Sequence, residues 1–117
     1  MMDRLRRLVG TPVVDSRLPA GVALVRGSWI PAVGGWLSGM GGPAAAVTLG
    51  STIVVRPGVA LEDRLLRHEL AHVRQWRQRP LAFPLLYALG HVRHGYRNNP
   101  YEVEARAAEG RGERSEP

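Results

Sequence analysis

The chain has 117 residues, a formal net charge of +6 and no cysteine. That length fits one domain with a real core, and the missing thiols exclude disulfide staples, a thiolate zinc ribbon and a cysteine nucleophile. All 16 basic residues are arginine, and they are spread along the chain rather than massed, which describes a solvated basic surface with some attraction for acidic partners.

Asp3 to Val9 reads as a short helix with Leu5 and Leu8 on one side. Its charge resembles the start of a leader, but no apolar run follows it. Thr11 to Ala20, with Pro12 and Pro19, reads as a loop, and Val22 to Val25 as a strand. Gly27 to Val55 carries no charge. Gly34, Gly35, Gly39, Gly41, Gly42, Pro31 and Pro43 break it up too often for a membrane span, so Trp29 to Gly42 reads as a glycine-rich loop or broken hairpin. Ala46 to Leu49 and Thr52 to Arg56 form two short strands around Gly50-Ser51, and Pro57-Gly58 ends the sheet segment. Without leader or span, the expectation is a cytoplasmic protein with no membrane association.

Glu62 to Arg79 is the best-defined helix. Acidic Glu62 and Asp63 lie in its first turn and Arg77 and Arg79 in its last, both suited to the helix dipole, and Pro80 stops it. Leu66, Leu70 and Val73 form an apolar ridge. Leu65, His68, His72 and Trp76 form a second ridge beside it. This helix carries His68-Glu69-Leu70-Ala71-His72, an H-E-x-x-H pattern. Residues four apart stand one above the other on a helix, so His68 and His72 can share one Zn²⁺ at about 2.0–2.1 Å. Glu69, on the flank of that face, is then in reach of a water at the metal as general base.

Leu81 to Val92 reads as a second, apolar helix with Pro84 in its first turn, interrupted by Gly95 and Asn98-Asn99. Asn99-Pro100 is a helix start, with Asn as N-cap and Pro at the first position. Tyr101 to Glu109 continues as a third helix. The expected organisation is one compact domain over residues 1–110 and a flexible polar tail over 111–117.

A catalytic zinc takes three protein ligands and keeps a position for water. The candidates for the third are His91, His94, Glu102, Glu104 and Glu109. HELAHVRQW followed by NNPYEVEARA resembles the gluzincin class of metallopeptidases, above all its very short, minigluzincin-type bacterial members. That resemblance covers about Thr48 to Ala108. It implies an α+β fold: a small zincin-like domain in which a short sheet, with Thr52 to Arg56 as its edge strand, packs on the H-E-x-x-H helix, followed by a connecting helix and a Glu-bearing helix. In the class the third ligand is a Glu followed three residues later by Ala and four later by Asp. Glu102, with Ala105, matches the first part. Arg106 stands where the class has the Asp that orients a ligand His, and Asp63 and Glu104 are the candidates to replace it. Glu104 is also the alternative ligand.

The resemblance thus implies a zinc-dependent peptidase, with one Zn²⁺ per chain on His68, His72 and Glu102. Glu69 would activate the water that attacks a peptide bond of a peptide or protein substrate. His91, His94 and Tyr96 are candidate donors to the transition state. Simpler roles stand beside these. Glu102 occupies the capping-box position after Asn99 and the i,i+4 position to Arg106, while His91 and His94 suit a helix end. A rival reading from another class is a metal-stabilised basic binding module, with a protein or nucleic acid as partner and little catalysis. A membrane-associated peptidase would rest on the uncharged Gly27–Val55 stretch alone.

Overall fold

The computed structural model describes residues 10–27 and 45–110. The expected helix at 3–9, the glycine-rich segment at 29–42 and the polar tail at 111–117 lie outside the described residues. Within them the protein is α+β. Four strands, β1 (Thr11–Val13), β2 (Ala23–Arg26), β3 (Ala46–Leu49) and β4 (Thr52–Val55), precede three helices, α1 (Asp63–Gln78), α2 (Phe83–Asn98) and α3 (Pro100–Glu109). The chain divides into two compact units, Met1–Ala60 with the strands and Leu61–Pro117 with the helices.

In the first unit the strands lie in the order β1-β2-β4-β3. The outer pairs β1/β2 and β3/β4 are antiparallel, and the inner pair β2/β4 is parallel, with Val25 opposite Val54. Gly50-Ser51 closes the β3–β4 hairpin with Leu49 facing Thr52. Gly50 has φ +62° and Ser51 does not share that sign, the pattern of a type II′ turn with Gly at its first central position.

Two expectations are corrected here. Thr52 to Arg56 is not an edge: β4 is paired on both sides, with β2 and β3. Its run Ile53-Val54-Val55 is fully buried, and an unbroken β-branched run, rather than an alternating one, belongs to a strand covered on both faces. The edges among the described strands are β1 and β3. Thr11–Val13, expected as loop, is β1. Pro12 pairs in register with Val25, and an edge strand tolerates Pro because the donor it lacks is not needed on the open side.

In the second unit, α1 starts and stops within one residue of the expected bounds, with Glu62 before it and Arg79 after it. Leu66 and Val73 are buried as the ridge requires, but Leu70 between them is only half-buried, while Glu69, Ala71 and His72 are buried. A carboxylate on a buried helix ridge is rare without a task or a partner. The helix α2 runs on to Asn98 through a break at Gly95 (φ 76°, ψ 171°), a conformation open to Gly and costly for other residues.

The joint between α2 and α3 is built on Asn99, which is fully buried. Its Oδ1 accepts from the Tyr101 amide at 3.1 Å as N-cap, and its Nδ2 donates to the Tyr87 carbonyl at 3.0 Å. Gly90 makes this possible, since a Cβ there would stand 2.9 Å from Asn99 Oδ1. Phe83 ties the three helices together, edge-on to Trp76 of α1 at 5.2 Å and to Tyr101 of α3 at 5.1 Å between ring centroids. Ala71, Ala105 and Ala108 form a buried cluster that lets α1 and α3 approach closely. No described helix is long and apolar enough to cross a membrane.

Candidate metal centre

The close approach of α1 and α3 sets His68 and His72 against Glu102. Among the described residues these three form the one cluster able to hold a metal ion, with one donor atom from each within 4.8 Å of the others. All three are buried or nearly so, with side-chain exposures of 13%, 8% and 5%. His68 Nε2 lies 3.1 Å and His72 Nε2 3.2 Å from the same Glu102 oxygen, Oε1. Donors bound to one tetrahedral ion at ~2.0–2.1 Å stand about 3.3 Å apart. The spacing toward Glu102 is therefore already that of a shared ion, within a few tenths of an ångström.

The far nitrogen of each ring is held as well. His68 Nδ1 lies 2.8 Å from Glu109 Oε2. A carboxylate only accepts, so Nδ1 carries the proton and donates. His72 Nδ1 lies 2.8 Å from Gln75 Oε1. The Gln75 amide nitrogen donates to the Tyr101 carbonyl at 3.0 Å and to Glu104 Oε1 at 2.9 Å. Turning that amide round would set its oxygen against two acceptors, so its oxygen must face His72, and His72 Nδ1 is also a donor. Both rings thus keep a proton on Nδ1 and turn Nε2 toward Glu102. That is the tautomer a metal-ligating His adopts when its other nitrogen is oriented by an acceptor.

Glu102 is fixed at both oxygens. While Oε1 faces the imidazoles, Oε2 accepts from the Tyr87 hydroxyl at 2.5 Å. The capping-box role is not realised: the Asn99 amide donates to the Tyr96 carbonyl instead, and the carboxylate points away from it. Nor does Glu102 pair with Arg106, which is exposed and donates to the Arg97 carbonyl.

Charge follows this geometry. Burial opposes a charged His68, but the hydrogen bond to Glu102, the charge of Glu69 and the hydrogen bond to Glu109 outweigh it and lift its pKa to about 9. His72 is raised in the same way, against burial, chiefly by Glu102. Burial also opposes ionised Glu102, yet the hydrogen bonds from His68 and His72 hold its carboxyl far below the usual range. Without a metal, the centre is an ionised carboxylate that draws protons onto two imidazoles. A divalent cation would replace those protons at the same acceptor, so the donor set could hold a transition-metal ion such as zinc.

Glu69 is buried, with 4% exposure. Its charge acts on His68, His72, Tyr87 and Tyr96 alike, which sets its carboxylate beside the cluster. Tyr96 is half-buried, and burial together with the charges of Glu102 and Glu69 raises its phenol to about 12. His91 is half-buried, His94 is exposed, and neither belongs to the three-donor cluster. Glu104 does not join it either: it is exposed and steadies Gln75 from outside. The carboxylate that bonds the far nitrogen of His68 is Glu109, seven residues after Glu102 and so on the same helix face. Sequence reasoning missed Tyr87, Gln75 and the orienting role of Glu109. For Gln75 a signal was present, since it lies three residues after His72 on the same helix.

A family model described as the eCIS core domain, eCIS standing for extracellular contractile injection system, matches residues 40–80. That is less than half of the chain. It takes in β3, β4 and α1 with His68, Glu69 and His72, and stops short of the helix that carries Glu102. No curated protein and no solved structure matches the chain.

Proposed function

We propose that this protein is a zinc-dependent peptidase whose centre is His68, His72 and Glu102, with Glu69 as general base. The observation that carries the reading is the fixed orientation of the two imidazole rings. Two Nε2 atoms and one carboxylate oxygen converge, while Gln75 and Glu109 hold the opposite side of each ring. Three protein donors are the number a catalytic zinc uses, whereas a purely structural site is closed by four. A buried Glu69 beside them is what general-base chemistry requires and what a structural site has no use for.

Zinc bound there would supply Lewis acidity, polarising the scissile carbonyl and lowering the pKa of a water toward about 7. The chain's own groups do the rest. His68, His72 and Glu102 would hold the ion, with Glu102 as the one negatively charged ligand. Glu69 accepts the proton of the attacking water and returns it to the leaving amine. Tyr96 keeps its phenolic proton across the physiological range, so it serves as a hydrogen-bond donor to the oxygen that gains charge. His91 and His94 remain candidates for the same task from the same helix. The substrate is an extended peptide or unfolded protein. The likeness of residues 40–80 to the eCIS core domain supports a working context alongside an extracellular contractile injection system.

The test is Glu69→Gln beside the wild type, with metal content and cleavage of an unfolded protein measured together. The expected result is unchanged metal content and loss of cleavage by a factor of about 10²–10⁴. Equal cleavage by both proteins would overturn the reading, and binding of RNA or DNA with a steep salt dependence, without cleavage, would move it to the binding module.

A further inference from the structure

Carboxylate ligands bind metal ions through one oxygen or two, and the choice goes with the ion. Calcium takes six to eight oxygens and accepts two from one carboxylate, manganese favours an octahedron of oxygens, and zinc settles for four donors. Glu102 has its choice restricted by a neighbour. Its Oε2 is occupied by the Tyr87 hydroxyl at 2.5 Å, the length of a strong hydrogen bond to an ionised acceptor.

Tyr87 has little room to move. Its carbonyl accepts from the buried Asn99 side chain at 3.0 Å. Its ring stands edge-on to His72 with centroids 6.2 Å apart and lies against Phe83 at 5.8 Å. The same ring therefore touches a ligand His and bonds a ligand Glu, and its backbone is tied to the cap of the helix that carries that Glu. For Glu102 to bind through both oxygens, Oε2 would have to share its lone pairs between the ion and the half-buried Tyr87 hydroxyl, which weakens it as a second ligand.

We infer that Tyr87 is a positioning residue that confines Glu102 to one ligand oxygen and so tunes the centre to zinc over oxygen-seeking divalent cations such as manganese. The inference rests on the reading that His68, His72 and Glu102 hold a divalent cation. It adds what selects the ion.

The test compares full-length wild type with Tyr87→Phe, which keeps the ring and removes the hydroxyl. Zinc and manganese affinities are measured by competition titration, and the visible absorption of the cobalt(II)-loaded proteins is recorded. In Tyr87→Phe the preference for zinc over manganese should narrow by roughly tenfold or more, the scale of second-layer effects on metal affinity. The cobalt bands should weaken as the second oxygen enters and coordination expands. A packing defect alone would weaken both metals together and leave the cobalt spectrum as it was, and that result overturns the inference. Should Tyr87→Phe fail to fold, X-ray absorption of the zinc-loaded wild type decides: a carboxylate bound through one oxygen supports the inference, and one bound through two overturns it. A wild type that binds neither metal overturns the centre itself. A wild type that binds both, beside an unchanged variant, overturns the role of Tyr87 alone.

Discussion

Glu109 accepts a hydrogen bond from His68 Nδ1 at 2.8 Å from the last turn of the helix that carries Glu102. One helix thus supplies both the donor that faces His68 Nε2 and the acceptor that orients His68 from behind. Glu109→Ala should lower zinc affinity about 10–100-fold. Arg106→Ala, at the position where the gluzincin pattern has Asp, should leave it unchanged, because Arg106 is exposed and its guanidinium bonds the Arg97 carbonyl. Competition against a chromophoric chelator reads both. Equal losses in the two variants would show that the effect is a general disturbance of the helix rather than a loss of ring orientation.

Gln75 does the corresponding work for His72, and it is more tightly committed. Its amide touches His72, the Tyr101 carbonyl and Glu104, and it is 3% exposed. Gln75→Leu removes the acceptor of His72 Nδ1 and strips a donor from the part-buried Tyr101 carbonyl. Zinc affinity should fall about 10–100-fold, with about 1–3 kcal/mol lost from the stability of the metal-free protein. Glu104→Ala, which touches the centre only through Gln75, should cost less on both counts. Chemical denaturation of the metal-free variants checks the order, and a Glu104→Ala that loses metal more severely than Gln75→Leu would make Glu104 a ligand.

The α2–α3 joint gives a prediction that does not depend on any metal. Gly to Ala in a helix normally gains about 0.5–1 kcal/mol. At Gly90 the new methyl would stand 2.9 Å from Asn99 Oδ1, and Asn99 is fully buried with both ends of its amide bonded. Gly90→Ala should therefore destabilise by about 1–3 kcal/mol, the scale of overpacking in a core. Asn99→Ala should cost about 1–2 kcal/mol as a lost cap. Thermal unfolding measures both, and a stabilising Gly90→Ala would contradict the packing described.

Stability without metal should fall as pH rises. The pKa of His68 is lifted from 6.5 to about 9 on folding. Its contribution is fully present below pH 6.5 and is lost as pH climbs through about 9. A cation must displace the same proton, so its apparent affinity rises over the same window. The melting temperatures of metal-free and zinc-loaded protein should therefore separate progressively from pH 6.5 to 9. A constant separation would mean that zinc does not compete for His68.

Much of the helical half was legible because its signals are local. The charges and Pro80 bound α1, Asn99-Pro100 announces α3 as N-cap and first residue, and the four-residue spacing of His68 and His72 is a property of any helix. Glu102 needed the family resemblance, since the sequence alone leaves several acids and histidines open. What escaped depends on which elements meet. Thr52–Val55 looks the same as an edge or a central strand until its second partner is known, and that partner, β2, lies across the 28–44 segment. Pro12 argued for a loop because an edge position is invisible in a single sequence. Tyr87 sits on an apolar helix, and only the approach of α3 turns its hydroxyl into a partner of Glu102. Glu109 is a candidate ligand by sequence and stands instead behind His68, on its Nδ1, a distinction that a spacing of seven residues on one face does not make.

The most direct test of the account is the metal content of the purified wild type, loaded with zinc and exchanged into metal-free buffer, beside Glu102→Gln. One zinc per chain is expected in the wild type, with a large loss of retained metal in the variant. A wild type that cannot be loaded with zinc, or a variant that holds it equally well, would contradict the centre formed by His68, His72 and Glu102.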